Sequence, residues 1–341
     1  MPKEPVEHKH YTDARAHFRY ALRQHIPGGM VGICGMPGAG KTFLRNEVMR
    51  GILGSPDAWG EGFIPATEVM VLLDANAKFS SKAFAARAHR AVLRPDLRAL
   101  YRDSSDEASE SYLSSLQAAE NAWRASRASI RTAEHEYWQS FGEVVAERKI
   151  KYILFEHAAA IGTAAKGEEP KDHLWNLMSL LETTGCMGIL NLIPEGYRLW
   201  DGRPEIAERL ERVFIRPYDI CDKEQLTEFA TKVVLKVASP YKLESDKVIH
   251  SHINEIAIAT ATSMRPVEKL FARAEVNARS RGSATIGAND ILGAFETTEH
   301  ITALWRQAGL LSHISKPATG KELMAIHQAH LEGKLPCQKE E

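Results

Sequence analysis

The chain has 341 residues, which is enough for one large or two modest domains, each with an apolar core. Its formal net charge is -1, so a contact with nucleic acid requires a local basic patch and does not follow from bulk charge. No stretch approaches the roughly 20 apolar residues of a membrane-spanning helix, and the N-terminus has no apolar core of a signal peptide, so we expect no membrane contact. The four scattered cysteines form no C-x-x-C pair, which predicts reduced thiols in a cytoplasmic protein without a zinc site.

Residues 1–219 alternate between helical and strand-like patterns. The N-terminal segment, 1–28, is predicted to be helical over 11–25, and further helices are predicted over 41–53, 80–93 and 172–184. Apolar runs at 30–34, 69–73, 152–155, 187–192 and 212–215 are typical of buried parallel strands. Residues 103–149 contain no proline and a single glycine, which predicts a helical insertion. The alternation predicts an α/β fold, a parallel sheet flanked by helices.

The strand signals end near residue 219. Helical periodicity then predicts helices over 223–238, 246–262, 266–281 and 289–311. This change predicts an α/β domain at 29–219 and an all-helical lid domain at 220–315. The last segment, 316–341, is predicted to be a polar, peripheral tail.

Between the first strand and the next helix lies Gly35-Met36-Pro37-Gly38-Ala39-Gly40-Lys41-Thr42, which matches the phosphate-binding pattern G-x-x-x-x-G-K-[ST]. Glycines allow backbone N–H groups to turn toward phosphate oxygens, and the helix N-terminus adds its positive dipole end. A plain glycine turn is the alternative, but it gives Lys41 and Thr42 no packing role. We therefore expect a P-loop that binds ATP, with Lys41 on the β- and γ-phosphates and Thr42 on Mg²⁺. The candidate nucleotide-binding residues are Gly35, Pro37, Gly38, Ala39, Gly40, Lys41, Thr42 and Phe43.

A P-loop enzyme also needs a carboxylate at the end of a neighbouring strand. The run 152–155 leads directly into Glu156-His157, where Asp-Glu is usual. In one register Glu156 is a magnesium ligand with Thr42, and His157 is the base that orients water. In the other, Phe155 stands in the magnesium position and Glu156 is the base. Either way one carboxylate is missing, so we expect ATP binding with slow hydrolysis; an incidental surface glutamate is the remaining alternative.

With these motifs and the helical lid, residues 20–300 resemble an AAA+ ATPase. The resemblance implies a P-loop parallel sheet followed by an all-helical lid, with three further catalytic residues. Asn191, on the fourth strand, stands where that family has its polar sensor. Arg209 resembles the arginine finger that reaches a neighbouring subunit's γ-phosphate, and Arg265 resembles the second sensor arginine. For each arginine the alternative is a surface salt bridge.

Within that family the chain is similar to the DNA-transposition regulators of the MuB, TnsC and TniB group. The features shared with that group are the helix before the P-loop, the segment 78–84 after the second strand, and the lid spacing. The resemblance implies ATP-dependent rings or filaments on duplex DNA, with a transposase and a target-selection protein as partners. Two alternatives remain open: a loader or remodelling ATPase of another nucleic-acid machine, and a nucleotide-gated interaction module with little hydrolysis.

A basic stripe follows the second predicted strand. On a helix, Arg87, Arg90 and Arg94 share one face, while Phe84 and Val92 share the other. Such a stripe suits phosphate contacts without base readout, and so predicts non-sequence-specific DNA binding. A solvated face paired with acids elsewhere is the alternative. The candidate DNA-binding residues are Lys78, Lys82, Arg87, Arg90 and Arg94.

Overall fold

The structure, a computed structural model, describes residues 6–60, 63–97, 114, 133–163, 170–201, 203–245 and 247–332. Its first half alternates strands and helices. In chain order these are α1 (Lys9–Gln24), β1 (Met30–Gly35), α2 (Lys41–Leu53), β2 (Ala66–Met70), α3 (Ser81–Leu93), α4 (Glu134–Arg148), β3 (Tyr152–Glu156), α5 (Pro170–Thr184), β4 (Met187–Leu192), α6 (Pro204–Arg209) and β5 (Leu210–Ile215).

The five strands form one parallel sheet in the order β2-β3-β4-β1-β5. The central strand β1 pairs with β4 on one side, Ile33 opposite Asn191, and with β5 on the other. In a parallel sheet the carboxyl ends of the strands meet at one edge, where ligands bind in open α/β folds. The loop after β1 and the ends of β3 and β4 are therefore neighbours.

Helices cover both faces of the sheet because both faces are apolar. All six residues of β1 and of β4 are buried. On one face α1 and α2 pack Phe18 and Leu44 against Ile33 and Leu154. On the other face, α3, α4 and α5 contribute to a core around Phe155. The sheet therefore has an apolar core on each side, and its polar end is left for the loops.

The second half is helical among the described residues. Its elements are α7 (Lys223–Glu228), a single π-helical turn (Phe229–Val234), α8 (Leu235–Ala238), α9 (Lys247–Ser251), α10 (Ile253–Thr260), α11 (Met264–Ser280), α12 (Ala288–Leu292), α13 (Thr298–Ser315) and α14 (Gly320–Leu331). A separate apolar cluster around Phe229, Ile256 and Phe271 holds α7 to α12 together. The helix α13 instead packs Leu304 and Leu311 into the core around Phe155, and α14 has no buried residue. The predicted parallel sheet flanked by helices, with a helical C-terminal region, is confirmed.

Several predicted element bounds are wrong. The second strand is Ala66–Met70 and not 69–73, because Ala66 pairs with Tyr152 and Met70 with Glu156, so β2 ends beside the end of β3. The predicted helix 246–262 is two helices that break at His252. The predicted helix 289–311 is also two, with Gly293 ending the first and Thr297 capping the second.

Two segments differ from simple expectations in other ways. Of the predicted insertion 103–149, only 114 and 133–149 lie within the described residues, and they include α4. The segment predicted as a polar tail contains α14, which begins with a capping box between Thr319 and Glu322 and has no buried residue. None of the helices in the described ranges is long and apolar enough to cross a membrane.

Candidate nucleotide-binding site

The loop between β1 and α2 has a backbone that glycine favours. Gly38 and Gly40 have φ angles of 81° and 89°, in the left-handed region. At Gly38 a Cβ atom would lie 2.2 Å from Cβ of Arg265, so a larger residue does not fit there. Gly40 is the N-cap of α2 and has no side chain to cap the helix, which leaves the first N–H groups of α2 for a ligand. The free N–H groups at the start of α2 make this loop suitable for binding an anion.

Lys41 is folded back over the loop. Its Nζ donates hydrogen bonds to the backbone oxygens of Gly35, at 2.8 Å, and Met36, at 2.9 Å. Burial lowers the pKa of Lys41 to about 8, and the charge of Arg265 acts in the same direction. A bound polyphosphate would have the opposite effect, because an adjacent negative charge favours the ammonium form.

Thr42, Asn191 and Glu156 meet at the edge of the sheet. Asn191 Nδ2 donates to Glu156 Oε1 at 2.8 Å and to Thr42 Oγ1 at 3.3 Å. Asn191 is buried, and within the described part of the chain its Oδ1 has no hydrogen-bond partner. Buried polar atoms nearly always have a partner, so an unpaired acceptor beside the phosphate loop fits a site that is completed by a ligand.

The residues of the two proposed registers differ in environment. Phe155 is 1% exposed and belongs to the apolar core. Glu156 is the last residue of β3 and contacts Asn191. His157 follows with a left-handed φ of 56° and an exposed side chain. Which of Glu156 and His157 orients water stays a prediction.

Arg45, which lies on α2 one turn after Lys41, is a residue of this site that no sequence motif predicts. Its side chain is 1% exposed, Nη1 lies 2.6 Å from Glu156 Oε1, and Nη2 lies 2.6 Å from Glu68 Oε2. The available signal was Glu68 itself, a charged residue between the buried Thr67 and Val69 of β2. A buried charge requires a partner, and here that partner also contacts Glu156.

The helical C-terminal region contacts the loop at the start of α11. Ser263 Oγ donates to the backbone oxygen of Pro37 at 3.2 Å, and Arg265 lies across Gly38. Arg265 is exposed. The structure therefore brings this predicted sensor residue to the phosphate loop.

A cavity of about 520 Å³ opens beside the loop, between α1, α2 and the lid. Its lining includes Val6, His8, Tyr11, Ala39, Gly40, Phe43, Val237, Pro240, Tyr241 and Met264. Burial lowers the pKa of His8 to about 4, and the charge of His10 adds to this effect, so His8 is neutral at pH 7. The volume and the apolar, aromatic walls are those of a small-molecule site. Phe43 is the one predicted residue in this wall that lies beyond the P-loop itself.

The structure does not bring Arg209 to the phosphate loop of its own chain. Arg209 ends α6, its Nη1 lies 2.6 Å from Glu182 Oε2, and its guanidinium carbon is 5.8 Å from the centre of the Trp175 ring. The side chain is 41% exposed. The surface ion pair and the role in a neighbouring subunit both remain open.

The predicted DNA-binding residues line the start and the outer face of α3. Lys78, Lys82, Arg90 and Arg94 are exposed. Arg87 is partly buried, and its Nη1 donates to the backbone oxygen of Leu72 at 2.8 Å. The opposite face of α3, which includes Phe84 and Val92, is buried. The helix therefore presents these basic residues on one side.

No protein-family model and no curated protein matches this chain. Among solved structures it is similar to Cdc6p from Pyrobaculum aerophilum, with 13% identity, a TM-score of 0.53, and coverage of 98% of this chain and 89% of that one. It is also similar to the ORC2 protein of Aeropyrum pernix in its ADP form, with 12% identity, a TM-score of 0.48, and coverage of 98% and 76%. The likeness to Cdc6p is one of fold, and it confirms the predicted parallel sheet flanked by helices with a helical C-terminal region.

Proposed function

We propose that this chain is an ATP-binding AAA+ ATPase that requires Mg²⁺. The observation that carries the proposal is the hydrogen-bonded set of Thr42, Asn191 and Glu156, at the sheet edge beside Lys41. A hydroxyl, an amide and a carboxylate next to a phosphate cradle are the groups that a magnesium nucleotide requires. The unpaired buried oxygen of Asn191 supports a ligand at this place.

In this proposal the base and ribose of ATP occupy the cavity lined by Tyr11, Phe43 and Tyr241. The phosphates lie on the N–H groups of the loop, and Lys41 exchanges its backbone carbonyl partners for the β- and γ-phosphates. Thr42 and Glu156 would hold Mg²⁺, which neutralises phosphate charge when it is bound.

Hydrolysis then requires a water that is oriented toward the γ-phosphate. If Glu156 holds Mg²⁺, His157 accepts the proton of that water; in the other register Glu156 is not a magnesium ligand and accepts the proton itself. In both registers Asn191 fixes the position of Glu156. Arg265 contributes charge from the lid. Arg209 leaves its pair with Glu182 and reaches the γ-phosphate of a neighbouring copy.

We further propose that the ATP-bound chain assembles as a ring or filament on duplex DNA and regulates transposition. Its partners would be a transposase and a target-selection protein. The resemblance of the sequence to the transposition regulators supports this role, as do the basic residues of α3, which suit phosphate contacts. A loader of another nucleic-acid machine would share the nucleotide site but not these partners.

Electron microscopy of the chain with duplex DNA and a slowly hydrolysed ATP analogue tests the assembly. Rings or filaments are expected only when both are present. The matched controls are the chain with ADP and the Lys41→Ala variant, neither of which should assemble. Assembly that is independent of nucleotide would contradict the proposal. Strand-transfer assays with an integrase-like transposase from the same locus then separate a transposition regulator from a loader.

One observation favours a second candidate, a nucleotide-gated module that scarcely hydrolyses ATP. Glu156 Oε1 already accepts a hydrogen bond from Asn191 and pairs with Arg45. An oxygen that already has two partners is less available to an attacking water. Steady-state phosphate release with and without DNA separates the two candidates, since a module would show none above the Lys41→Ala background.

A further inference from the structure

Glu68 and Glu156 lie on the same face of the sheet. β2 and β3 are neighbours, with Glu68 opposite Leu154 and Met70 opposite Glu156. Side chains alternate along a strand, so residues two apart point the same way. The shared face is the one that α2 covers, since Leu154 packs with Leu44. The fold thus places two carboxylates under one helix.

Arg45 contacts both carboxylates from α2, the helix that covers this face of the sheet. Nη1 contacts Glu156 and Nη2 contacts Glu68, each at 2.6 Å. Nε donates to Asn46 Oδ1 at 3.1 Å and Nη2 donates to Glu68 Oε2, whereas the contact of Nη1 with Glu156 is an ion pair without hydrogen-bond geometry. A planar fork serves several acceptors in fixed directions, which the single ammonium of a lysine does not.

The guanidinium of Arg45 is more deeply buried than the two carboxylates that it contacts. Arg45 is 1% exposed, whereas the side chains of Glu156 and Glu68 are 13% and 21% exposed. Burial raises the pKa of Glu68, and the charge of Arg45 opposes that shift. Because the guanidinium of Arg45 is buried, water does not solvate its charge, and the two carboxylates compensate it instead.

We propose that Arg45 is a positioning residue that holds the carboxylate of Glu156 beside Thr42 and Asn191, with Glu68 as its second anchor. This inference rests on the proposed ATPase function. Without the fork, Glu156 keeps only its hydrogen bond from Asn191 and rotates away from the phosphate loop. Nucleotide contacts through the loop and Lys41 do not involve Arg45. Substitutions of Arg45 should therefore slow ATP hydrolysis and leave ATP binding nearly unchanged.

The first test is the Arg45→Lys variant, which keeps the charge and loses the fork. The value of kcat for ATP is expected to fall at least tenfold, with KM changed less than threefold. Arg281→Lys is the matched control, because Arg281 pairs with the buried Asp290 of the lid at 2.6 Å, away from the phosphate loop. The control should keep both constants. A rise in KM with kcat unchanged, or no change in either, would overturn the proposal.

A second variant tests the same proposal if Arg45→Lys does not fold. Arg45→Gln combined with Glu68→Gln removes one positive and one negative charge, so the net charge around Glu156 is unchanged. The same loss of kcat at constant KM is expected. Full activity of this double variant would show that Glu156 needs no guanidinium.

The third test needs no nucleotide. Urea unfolding of the wild type, Arg45→Lys, Glu156→Gln and the double variant gives the coupling of the two residues in the free protein. Arg45→Lys should lower the unfolding midpoint less in the Glu156→Gln background. Additive effects would refute the contact. If instead this coupling is present while the wild type binds no ATP analogue, the proposed function fails and the contact stands.

Discussion

The phosphate-loop site and the exposed basic regions differ in how completely the chain defines them. In the site, Lys41, Asn191 and Arg45 each meet named partners of the same chain in buried surroundings. In the exposed regions, Arg209 forms a half-exposed surface pair, and Lys78 and its neighbours face outward from α3. The chain alone therefore specifies the first region, whereas the proposed role of the second depends on a partner.

The difference has an energetic side. An exposed ion pair such as that of Arg209 with Glu182 contributes only about 0–1 kcal/mol, so a partner can replace it with little loss. A buried pair that loses one member leaves an uncompensated charge, which costs about 3–5 kcal/mol. Single substitutions should therefore disable the buried site, while exposed residues should matter in proportion to the partner contacts they make.

The largest expected effect is at Lys41. Lys41→Ala should weaken ATP binding on the order of a hundredfold while the fold survives, because a charge-assisted phosphate contact is worth a few kcal/mol. Titration with a fluorescent ATP analogue measures the affinity, and circular dichroism checks the fold. Lys247→Ala, an exposed lysine on α9, is the control and should bind as the wild type does. Equal affinity of Lys41→Ala and wild type would remove the loop from the site.

The basic stripe of α3 is the next test, and it probes the exposed side of the comparison. The triple variant Arg87→Ala, Arg90→Ala, Arg94→Ala should flatten the slope of log affinity against log salt by about 0.9 for each lost phosphate contact on duplex DNA. Fluorescence anisotropy at several salt concentrations gives that slope. A triple variant of exposed cations elsewhere, Lys223, Lys232 and Arg279, controls for the loss of net charge. An unchanged slope in the α3 variant would make the stripe a solvated face.

A smaller effect is expected at the end of α6. If Arg209 reaches a γ-phosphate in a neighbouring copy, Arg209→Ala should require about tenfold more protein for assembly on duplex DNA with an ATP analogue, as one lost charged hydrogen bond predicts. Light scattering against protein concentration measures this. Arg279→Ala is the matched control, since Arg279 forms an exposed pair with Glu275 at 2.7 Å. Identical assembly of the two variants would return Arg209 to the role of a surface pair.

The sequence predicts the parts of this molecule that depend on local pattern. β4 is found at the predicted 187–192, because a strand buried on both faces leaves a continuous apolar run. The glycine loop is also predictable from the sequence, because Gly38 and Gly40 adopt a left-handed backbone conformation that glycine favours.

What the sequence does not reveal depends on contacts between distant segments. Glu68 interrupts the apolar run of β2, and its charge is compensated by Arg45 on another element. The apolar pattern therefore predicts a strand that begins three residues too late. His8 and Tyr241 share a cavity although more than half of the chain lies between them. No local sequence pattern predicts contacts between residues that lie so far apart along the chain.

The smallest expected effect concerns the residue after Glu156, and it decides between the two registers. The water that attacks the γ-phosphate needs a nearby proton acceptor, for which a carboxylate is the usual group. If His157 stands in that position, wild-type phosphate release should be slow, and His157→Glu should accelerate it severalfold. His250→Glu, which adds a carboxylate to an exposed position of the lid, controls for the added charge. If the wild type already turns over quickly and His157→Glu is neutral or slower, Glu156 is the base, and Arg45 then positions the proton acceptor itself.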